Sequence, residues 1–197
     1  MIIGLTGGIG SGKSSAGMLF RDLGIDVVDT DDLARECIAF GTPASMLLVE
    51  KFGNVILDSN EQIDRKQLRK IIFEHSHHKS FVESIIHPEV ARKVNSFIAS
   101  ANSVYKIIIV PLLFETNSQQ NYQRVLLIDS PETVQIQRAS ARDGVDQDSI
   151  KSIINSQLSR AEKLRLADDI ICNDGNLSQL KKSVKKMNDY YLSLSYE

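Results

Sequence analysis

The sequence has 197 residues, of which 42% are hydrophobic and 24% charged, and its net charge is −2 at pH 7. These values are typical of a globular protein, and a nearly neutral chain argues against nucleic acid as the main partner. The longest apolar runs, such as residues 105–114, are too short and too polar to cross a bilayer. No signal peptide precedes the first apolar run, and Cys37 and Cys172 form no CxxC pair. We therefore expect a cytoplasmic protein with no membrane partner.

Short apolar runs predict five buried strands, at residues 1–5, 25–29, 106–110, 124–129 and 170–173. The third and fourth runs lack alternation, which is typical of parallel strands that are covered on both faces. Helices are predicted between and after the strands, at residues 13–23, 131–142 and 177–194. The alternation predicts an α/β fold, namely a three-layer, doubly wound, five-stranded parallel sheet.

The second and third predicted strands are too far apart for one crossover helix. Residues 32–104 are therefore expected to hold an inserted, mostly helical subdomain, with amphipathic helices at 65–73 and 80–98. Within this insertion the segment "HSHHK" could suggest a metal site, but its spacing fits no standard one, and a solvated helix end is favoured.

A glycine-rich loop follows the first predicted strand. Gly7, Gly12, Lys13 and Ser14 match the pattern GxxxxGK[ST] of a P-loop, between a strand and a helix. Glycines let the backbone curl so that successive N–H groups point at phosphate oxygens, and the helix adds its positive dipole end. Lys13 would bridge the β- and γ-phosphates of ATP, and the Ser14 hydroxyl would ligate Mg²⁺.

The residues predicted to bind the nucleotide in this loop are consecutive. They are Gly8, Ile9, Gly10, Ser11, Gly12, Lys13, Ser14 and Ser15.

Acidic residues follow the second predicted strand. Asp29 and Asp31 stand at its carboxyl end, the edge at which open α/β sheets bind their ligands. A carboxylate there can accept a proton from an attacking hydroxyl or hold Mg²⁺ through water. Capping of the next helix is the alternative. The catalytic interpretation is favoured for Asp31, whereas for Asp29 and Asp32 the two stay open.

Two arginines lie one helical turn apart in "QRASARDG". Arg138 and Arg142 could close over the transferring phosphate as part of a lid at residues 131–160, and ordinary surface arginines are the alternative. Asn173, after the fifth strand, could contact the base or ribose, or belong to a plain turn. Asp129 could be a Walker B acid or a strand-end cap.

With these residues assembled, the chain resembles the dephospho-coenzyme A kinase family nearly from end to end. The shared stretches occur in order and are "GLTGGIGSGKS", "DTD", "GTPAS" followed by "FG", "DRKQLRKIIF", "HP", "VPLLFE", "QRASARDG" and "ADDIICNDG". Thr30 stands where the family has alanine, and Ser15 where it has threonine.

The resemblance implies a nucleoside-monophosphate-kinase-like fold and transfer of the γ-phosphoryl group of ATP to the ribose 3′-hydroxyl of dephospho-CoA. It implies that Asp31 is the base, that Lys13 and Ser14 hold phosphates and Mg²⁺, and that Arg138, with Arg142, covers the transferred group. The insertion at 32–104 would form the CoA-side pocket. The residues implied for that substrate are Asp29, Arg65, Arg69 and His87. A monomer or small homo-oligomer is expected.

Other P-loop classes fit the sequence less well. A switch GTPase should carry DxxG and NKxD, which the chain lacks, and an AAA-type motor needs a Walker B pair of acids. The nearest rivals are small-molecule kinases of the nucleoside-monophosphate or shikimate type. A shikimate-kinase-like enzyme should have a triple-glycine loop, whereas the only adjacent glycines here are Gly7 and Gly8.

Overall fold

The computed structural model describes residues 1–195 and, within them, every side chain except those of residues 73, 74 and 76. The strands in this part of the chain are β1 (Ile2–Thr6), β2 (Asp26–Asp29), β3 (Lys106–Ile109), β4 (Arg124–Asp129) and β5 (Asp169–Cys172). They form one sheet in the order β2-β3-β1-β4-β5, and every neighbouring pair is parallel. The predicted five-stranded parallel sheet is confirmed, and no strand end differs from its prediction by more than one residue.

The helices are α1 (Lys13–Asp22), α2 (Thr30–Cys37), α3 (Pro43–Phe52), α4 (Arg65–Glu74), α5 (Ser76–Ser100), α6 (Glu132–Asp143), α7 (Gln147–Ser156), α8 (Arg160–Leu166) and α9 (Leu177–Leu194). Sequence analysis missed α3, α7 and α8, although each begins with a side-chain cap. Thr42 accepts from the N–H of Ser45, Asp146 caps α7, and Ser159 forms a capping box with Glu162.

The two faces of the sheet are covered by different segments. On one face α1 and α9 pack through residues such as Phe20 and Val184 against strand residues that include Leu5 and Leu126, all of them buried. On the other face a smaller cluster joins Leu113, Phe114 and Val125 with half-buried neighbours. Both faces of the central strands are thus closed, so their apolar runs need no alternation.

The chain divides into two compact units. The first consists of residues 1–29 and the chain from residue 101 onward, and it contains the sheet. The second, Thr30–Ser100, contains α2–α5 and has a core of its own. The buried residues of that core are Ile38, Leu48, Ile56, Leu68 and Val82. The predicted substrate-binding role of residues 32–104 and the predicted lid at 131–160, which covers α6, α7 and the start of α8, stay predictions.

A helix that spans a lipid bilayer must be both long and apolar. No helix within residues 1–195 combines these two properties.

Candidate active site

The glycine loop occupies residues 7–12, between the carboxyl end of β1 and the start of α1. Gly10 and Gly12 have φ angles of 70° and 96°, a region that L side chains rarely adopt. A Cβ at Gly10 would collide with the main-chain oxygen of Gln135, and one at Gly12 with the side-chain amide of Asn173. Glycine is therefore required at both positions, by the backbone conformation and by the space around it.

Lys13 closes this loop from its own first helical turn. Its ammonium group donates to the carbonyl oxygens of Gly7 at 2.8 Å and Gly8 at 2.9 Å. Ser14 and Ser15 follow on the exposed side of the same turn. A fixed cation, a helix N-terminus and exposed hydroxyls next to one another are suited to bind a phosphate group.

The loop after β5 supports the glycine loop from one side. The side-chain amide of Asn173 donates to the carbonyl oxygen of Ser11 at 2.7 Å, and its main-chain N–H donates to that of Asp129 at 2.7 Å. The hydroxyl of Ser130 in turn donates to the carbonyl oxygen of Asn173. Asn173 is buried and holds the glycine loop in place. Its contact with a nucleotide stays a prediction.

The two arginines predicted for the lid lie on α6 in different surroundings. The half-buried Arg138 donates from Nη1 to the carbonyl oxygen of Asn173 at 2.8 Å and from Nη2 to that of Gly175 at 2.9 Å. The exposed Arg142 forms a side-on pair with Asp143, and this hydrogen bonding lowers the pKa of the Asp143 carboxyl. Arg138 therefore joins α6 to the loop after β5. Contact of either arginine with phosphate stays a prediction.

Sequence analysis gave no role to Arg160, the first residue of α8. Its Nε and Nη2 donate to the two carboxylate oxygens of Asp129 at 2.8 and 2.7 Å. The Asp129 side chain is only 5% exposed, whereas that of Arg160 is 43% exposed. Asp129, for which a Walker B role and a strand-end cap were both open, is thus the partner of an arginine. The hydrogen bonds to Asp129 raise the pKa of Arg160, so it stays charged.

A cavity of about 190 Å³ adjoins the glycine loop at Gly8. Its charged and amide-bearing lining residues are Asp129, Glu132, Gln135, Asn155, Gln157, Arg160 and Lys163.

A hydrogen-bonded chain crosses one wall of this cavity and ends at the glycine loop. The main-chain N–H of Ile9 donates to the side-chain oxygen of Gln157 at 3.4 Å, and the buried Lys163 donates to the same oxygen at 3.2 Å. Lys163 also pairs with Glu115 at 3.1 Å, and Glu115 accepts from the N–H of Leu158 at 2.9 Å. Sequence analysis missed these residues because their polar positions between helices have no periodicity. The capping box at the start of α8 was the available local signal.

The acidic residues after β2 fall on either side of the boundary between the two units. Asp29 is the half-buried last residue of β2, and Asp31 lies exposed in the first turn of α2, two residues later. Asp32 pairs with Arg35 at 2.6 Å on the surface of α2. Since α2 begins at Thr30, Asp31 is inside the helix and does not precede it. The catalytic role of Asp31 and the substrate contact of Asp29 stay predictions.

The residues predicted for the second substrate lie in the helical unit. Arg65 and Arg69 are exposed one turn apart on α4, and His87 is exposed on α5. Their contact with a substrate stays a prediction. Nearby, Nδ1 of His78 lies 3.2 Å from the carbonyl oxygen of Ile71, to which it donates when it carries the ring proton. In the described part of the chain no group of three or more His, Cys, Asp or Glu residues is placed to hold a metal ion.

A glycine loop closed by Lys13 lies between β1 and α1, at the carboxyl edge of a sheet with the order β2-β3-β1-β4-β5, and this arrangement defines a P-loop phosphate-binding protein. The dephospho-CoA kinase family model matches residues 1–179. The chain belongs to this family and is a kinase.

Individual relatives agree with the family model. A dephospho-CoA kinase of the gamma-proteobacterium EBAC31A08 is 45% identical over 197 residues, and the match covers 100% of both chains. One from Hahella chejuensis is 40% identical over 195 residues, covering 99% of this chain and 94% of that protein.

Solved structures share the fold. A protein from Thermus thermophilus has a TM-score of 0.84 at 28% identity, with 96% of this chain and 97% of that chain covered. A shikimate kinase from Acinetobacter baumannii in complex with shikimate has a TM-score of 0.56 at 16% identity, with 100% and 95% covered. The second likeness extends to the fold alone.

Proposed function

We propose that this protein transfers the γ-phosphoryl group of ATP to the ribose 3′-hydroxyl of dephospho-CoA, which yields CoA and ADP, the last step of CoA synthesis. The observation that carries the proposal is the family match over residues 1–179. The P-loop geometry supplies the phosphate-binding half of such a reaction, and the family membership supplies the acceptor.

Phosphate binding falls to the glycine loop and Lys13. The loop N–H groups and the α1 N-terminus would bind the phosphate oxygens, and Lys13 would move its hydrogen bonds from Gly7 and Gly8 to the β- and γ-phosphates. Because this charge acts on the transferring group, it stabilises the transition state more than the bound substrate.

Ser14 is the residue that would hold Mg²⁺. This ion takes only one or two protein ligands and completes its shell with water and phosphate oxygens, so it requires no cluster of acidic residues. The exposed Ser14 hydroxyl, next to Lys13 at the end of the glycine loop, fits this requirement. The ion would supply charge neutralisation at the phosphates.

Asp31 is proposed as the general base. The 3′-hydroxyl oxygen attacks the γ-phosphorus, the bond from that phosphorus to the β–γ bridging oxygen breaks, and the hydroxyl proton passes to the Asp31 carboxylate. Asp29 would bind the same ribose. The support for both roles is their position at and just past the carboxyl end of β2.

Arg138, together with Arg142, is proposed to cover the phosphates from the predicted lid at residues 131–160, with Asn173 at the nucleoside. For Arg138 this requires the guanidinium to exchange a carbonyl partner for a phosphate oxygen. The planar fork of arginine suits both kinds of partner.

The helical unit is proposed to bind dephospho-CoA through Arg65, Arg69 and His87. Two arginines one turn apart on an exposed helix face are suited to the pyrophosphate of that substrate. We also propose that the protein acts in the cytoplasm as a monomer or small homo-oligomer, with small molecules and neither nucleic acid nor membrane as its partners.

A substrate panel tests the function. The purified protein would be incubated with Mg·ATP and, separately, dephospho-CoA, shikimate, nucleoside monophosphates or water alone, and ADP release would be followed. We expect turnover with dephospho-CoA and a product phosphorylated at the 3′-position by mass and phosphorus NMR. Faster turnover with shikimate or a nucleoside monophosphate would overturn the proposal.

A further inference from the structure

Arg138 and Arg142 of α6 and Arg160 of α8 differ in what their guanidinium groups bind and in whether they line the cavity beside the glycine loop. Arg138 uses both terminal nitrogens on main-chain carbonyls. Arg142 pairs side-on with its exposed neighbour Asp143, through Nε and Nη2, and is not among the residues that line the cavity at Gly8. Arg160 pairs side-on, through Nε and Nη2, so its Nη1 has no hydrogen-bond partner among residues 1–195.

Arg160 lies beside the glycine loop, where its Nη1 can reach a bound phosphate. Arg160 and Gly8 of the P-loop line the same cavity of about 190 Å³, and the Arg160 side chain is 43% exposed. A guanidinium that faces a phosphate-binding loop across a small cavity can donate to an oxygen of a phosphoryl group held by that loop.

Asp129 keeps Arg160 in this position. The Asp129 carboxylate is almost fully buried at the end of β4, and Arg160 is the residue that neutralises it. Withdrawal of the arginine would leave a buried, uncompensated charge, so the pair is held together whether or not nucleotide is bound. A donor fixed before the reaction costs no reorganisation when charge develops on the phosphoryl oxygens.

We propose that Arg160 is a further catalytic residue, which donates from Nη1 to the transferring γ-phosphoryl group, and that Asp129 is its positioning residue. This inference rests on the proposed phosphoryl transfer and names a residue for it that sequence analysis did not find.

The main test uses two variants of the pair. Arg160→Lys keeps a positive charge beside Asp129 but loses the fork. The double variant Asp129→Asn/Arg160→Gln removes both charges together, so no buried carboxylate is left unpaired and the fold is preserved. Loss of one preorganised donor costs about 10²–10³-fold in kcat, and we expect a fall of this size in both variants with little change in the KM for dephospho-CoA.

The chain offers a matched control at the other end of the same strands. Arg124 and Asp169 form the same side-on pair, with distances of 2.7 and 2.9 Å, at the start of β4 and β5. Arg124→Gln/Asp169→Asn removes an equivalent pair far from the P-loop edge. Its kcat should equal that of the wild type, even where its melting temperature falls. A kcat loss in this control as large as in the Arg160 variants would overturn the proposal.

A binding measurement separates this inference from the proposed acceptor. ADP with aluminium fluoride mimics the transferring phosphoryl group, and calorimetry with Mg²⁺ present needs no dephospho-CoA. We expect the double variant at 129 and 160 to bind ADP alone as the wild type does and to lose at least tenfold in affinity for the mimic. Unchanged affinity for the mimic would overturn the role of Arg160. A wild type that binds the mimic but does not phosphorylate dephospho-CoA would overturn the proposed function and leave the role of Arg160 standing.

Discussion

The two ends of β4 carry the same kind of ion pair in opposite surroundings. At the start of β4, Arg124 pairs with Asp169. The carboxylate of Asp169 also accepts a hydrogen bond from the Tyr191 hydroxyl at 2.9 Å. The Arg124 guanidinium also lies 5.7 Å from the centre of the Tyr190 ring. At the end of β4 Asp129 pairs with Arg160, whose other side faces a cavity.

The comparison shows that the same Arg–Asp ion pair can lie in a structural or in a functional part of the molecule, and that its surroundings decide which. At the amino edge of the sheet Arg124 bonds to Asp169 and lies beside the Tyr190 ring, and Asp169 also accepts from Tyr191, so the pair joins β4, β5 and α9. At the carboxyl edge the polar groups turn toward a main-chain loop built for an anion. Substitutions at the carboxyl edge should therefore affect catalysis, and those at the amino edge stability.

Lys13→Ala should give the largest loss of activity. Charges that stabilise a transferring phosphoryl group are worth about 10³–10⁵ in kcat, and we expect Lys13→Ala to fall in this range. The melting temperature should change little, because the carbonyls of Gly7 and Gly8 to which Lys13 donates belong to its own loop. Lys182→Ala, on the exposed face of α9, is the control. Near wild-type kcat in folded Lys13→Ala would contradict the P-loop assignment.

Asp31→Asn should rank second. The substitution keeps the shape of the side chain and removes the base, and general-base contributions run at about 10²–10⁴-fold, so kcat should fall by that factor. The affinity for dephospho-CoA should change much less. Asp32→Asn is the matched control, since Asp32 is the adjacent acid and pairs with Arg35 on the surface. A mild effect of Asp31→Asn beside a severe effect of Asp29→Asn would mean that the two acids are reversed.

Arg138→Ala should lower both kcat and the melting temperature, and it would therefore show whether one residue at the carboxyl edge serves both catalysis and stability. We expect kcat to fall by about 10²-fold through the lost phosphate contact. The carbonyl of Gly175 loses its Arg138 donor, and that of Asn173 keeps only the Ser130 hydroxyl. A loss of about 1 kcal/mol would lower the melting temperature by about 2–4 °C. Arg138→Lys should recover activity only in part. If melting falls and kcat is unchanged, Arg138 is structural and the lid assignment is wrong.

Asp26→Asn, at the amino edge, should have the smallest effect and only on stability. The Asp26 carboxylate accepts from the main-chain N–H groups of Ser103 and Asn102, which lowers its pKa from 3.8. The stability that this carboxylate contributes is therefore present above pH 3.8 and is lost as the pH falls through the lower, folded-state pKa. Unfolding measured between pH 6 and the acid limit, about pH 2–3, should show a shallower acid loss in Asp26→Asn. Its kcat at pH 7 should equal that of the wild type, and a loss there would break the comparison.

The P-loop could be predicted from the sequence because its requirements are local. Positive φ at Gly10 and Gly12 and the strand and helix around them are properties of a few consecutive residues. The five strands were predictable for the same reason, since a strand that is buried on both faces needs an unbroken apolar run.

The residues around the cavity could not be predicted in this way. Arg160 and Asp129 are 31 residues apart, and Glu115 and Leu158 are 43 apart, so no periodicity connects them. Likewise "ICNDGN" indicated a turn or a nucleoside contact, and only the position of Asn173 beside Ser11 shows that the side chain holds the glycine loop.

The sequence by itself thus determined the class of fold, the phosphate loop and the family, because glycine conformation, apolar runs and motif spacing act over short stretches of chain. The tertiary structure decided which charged groups face one another at each edge of the sheet. That choice depends on crossovers and strand order, which bring Asp129, Asn173 and Arg160 to the loop that contains Gly8. Arg124 and Arg160 form the same kind of pair, and the fold places Arg124 against the tyrosines of α9 and Arg160 at the cavity that Gly8 also lines.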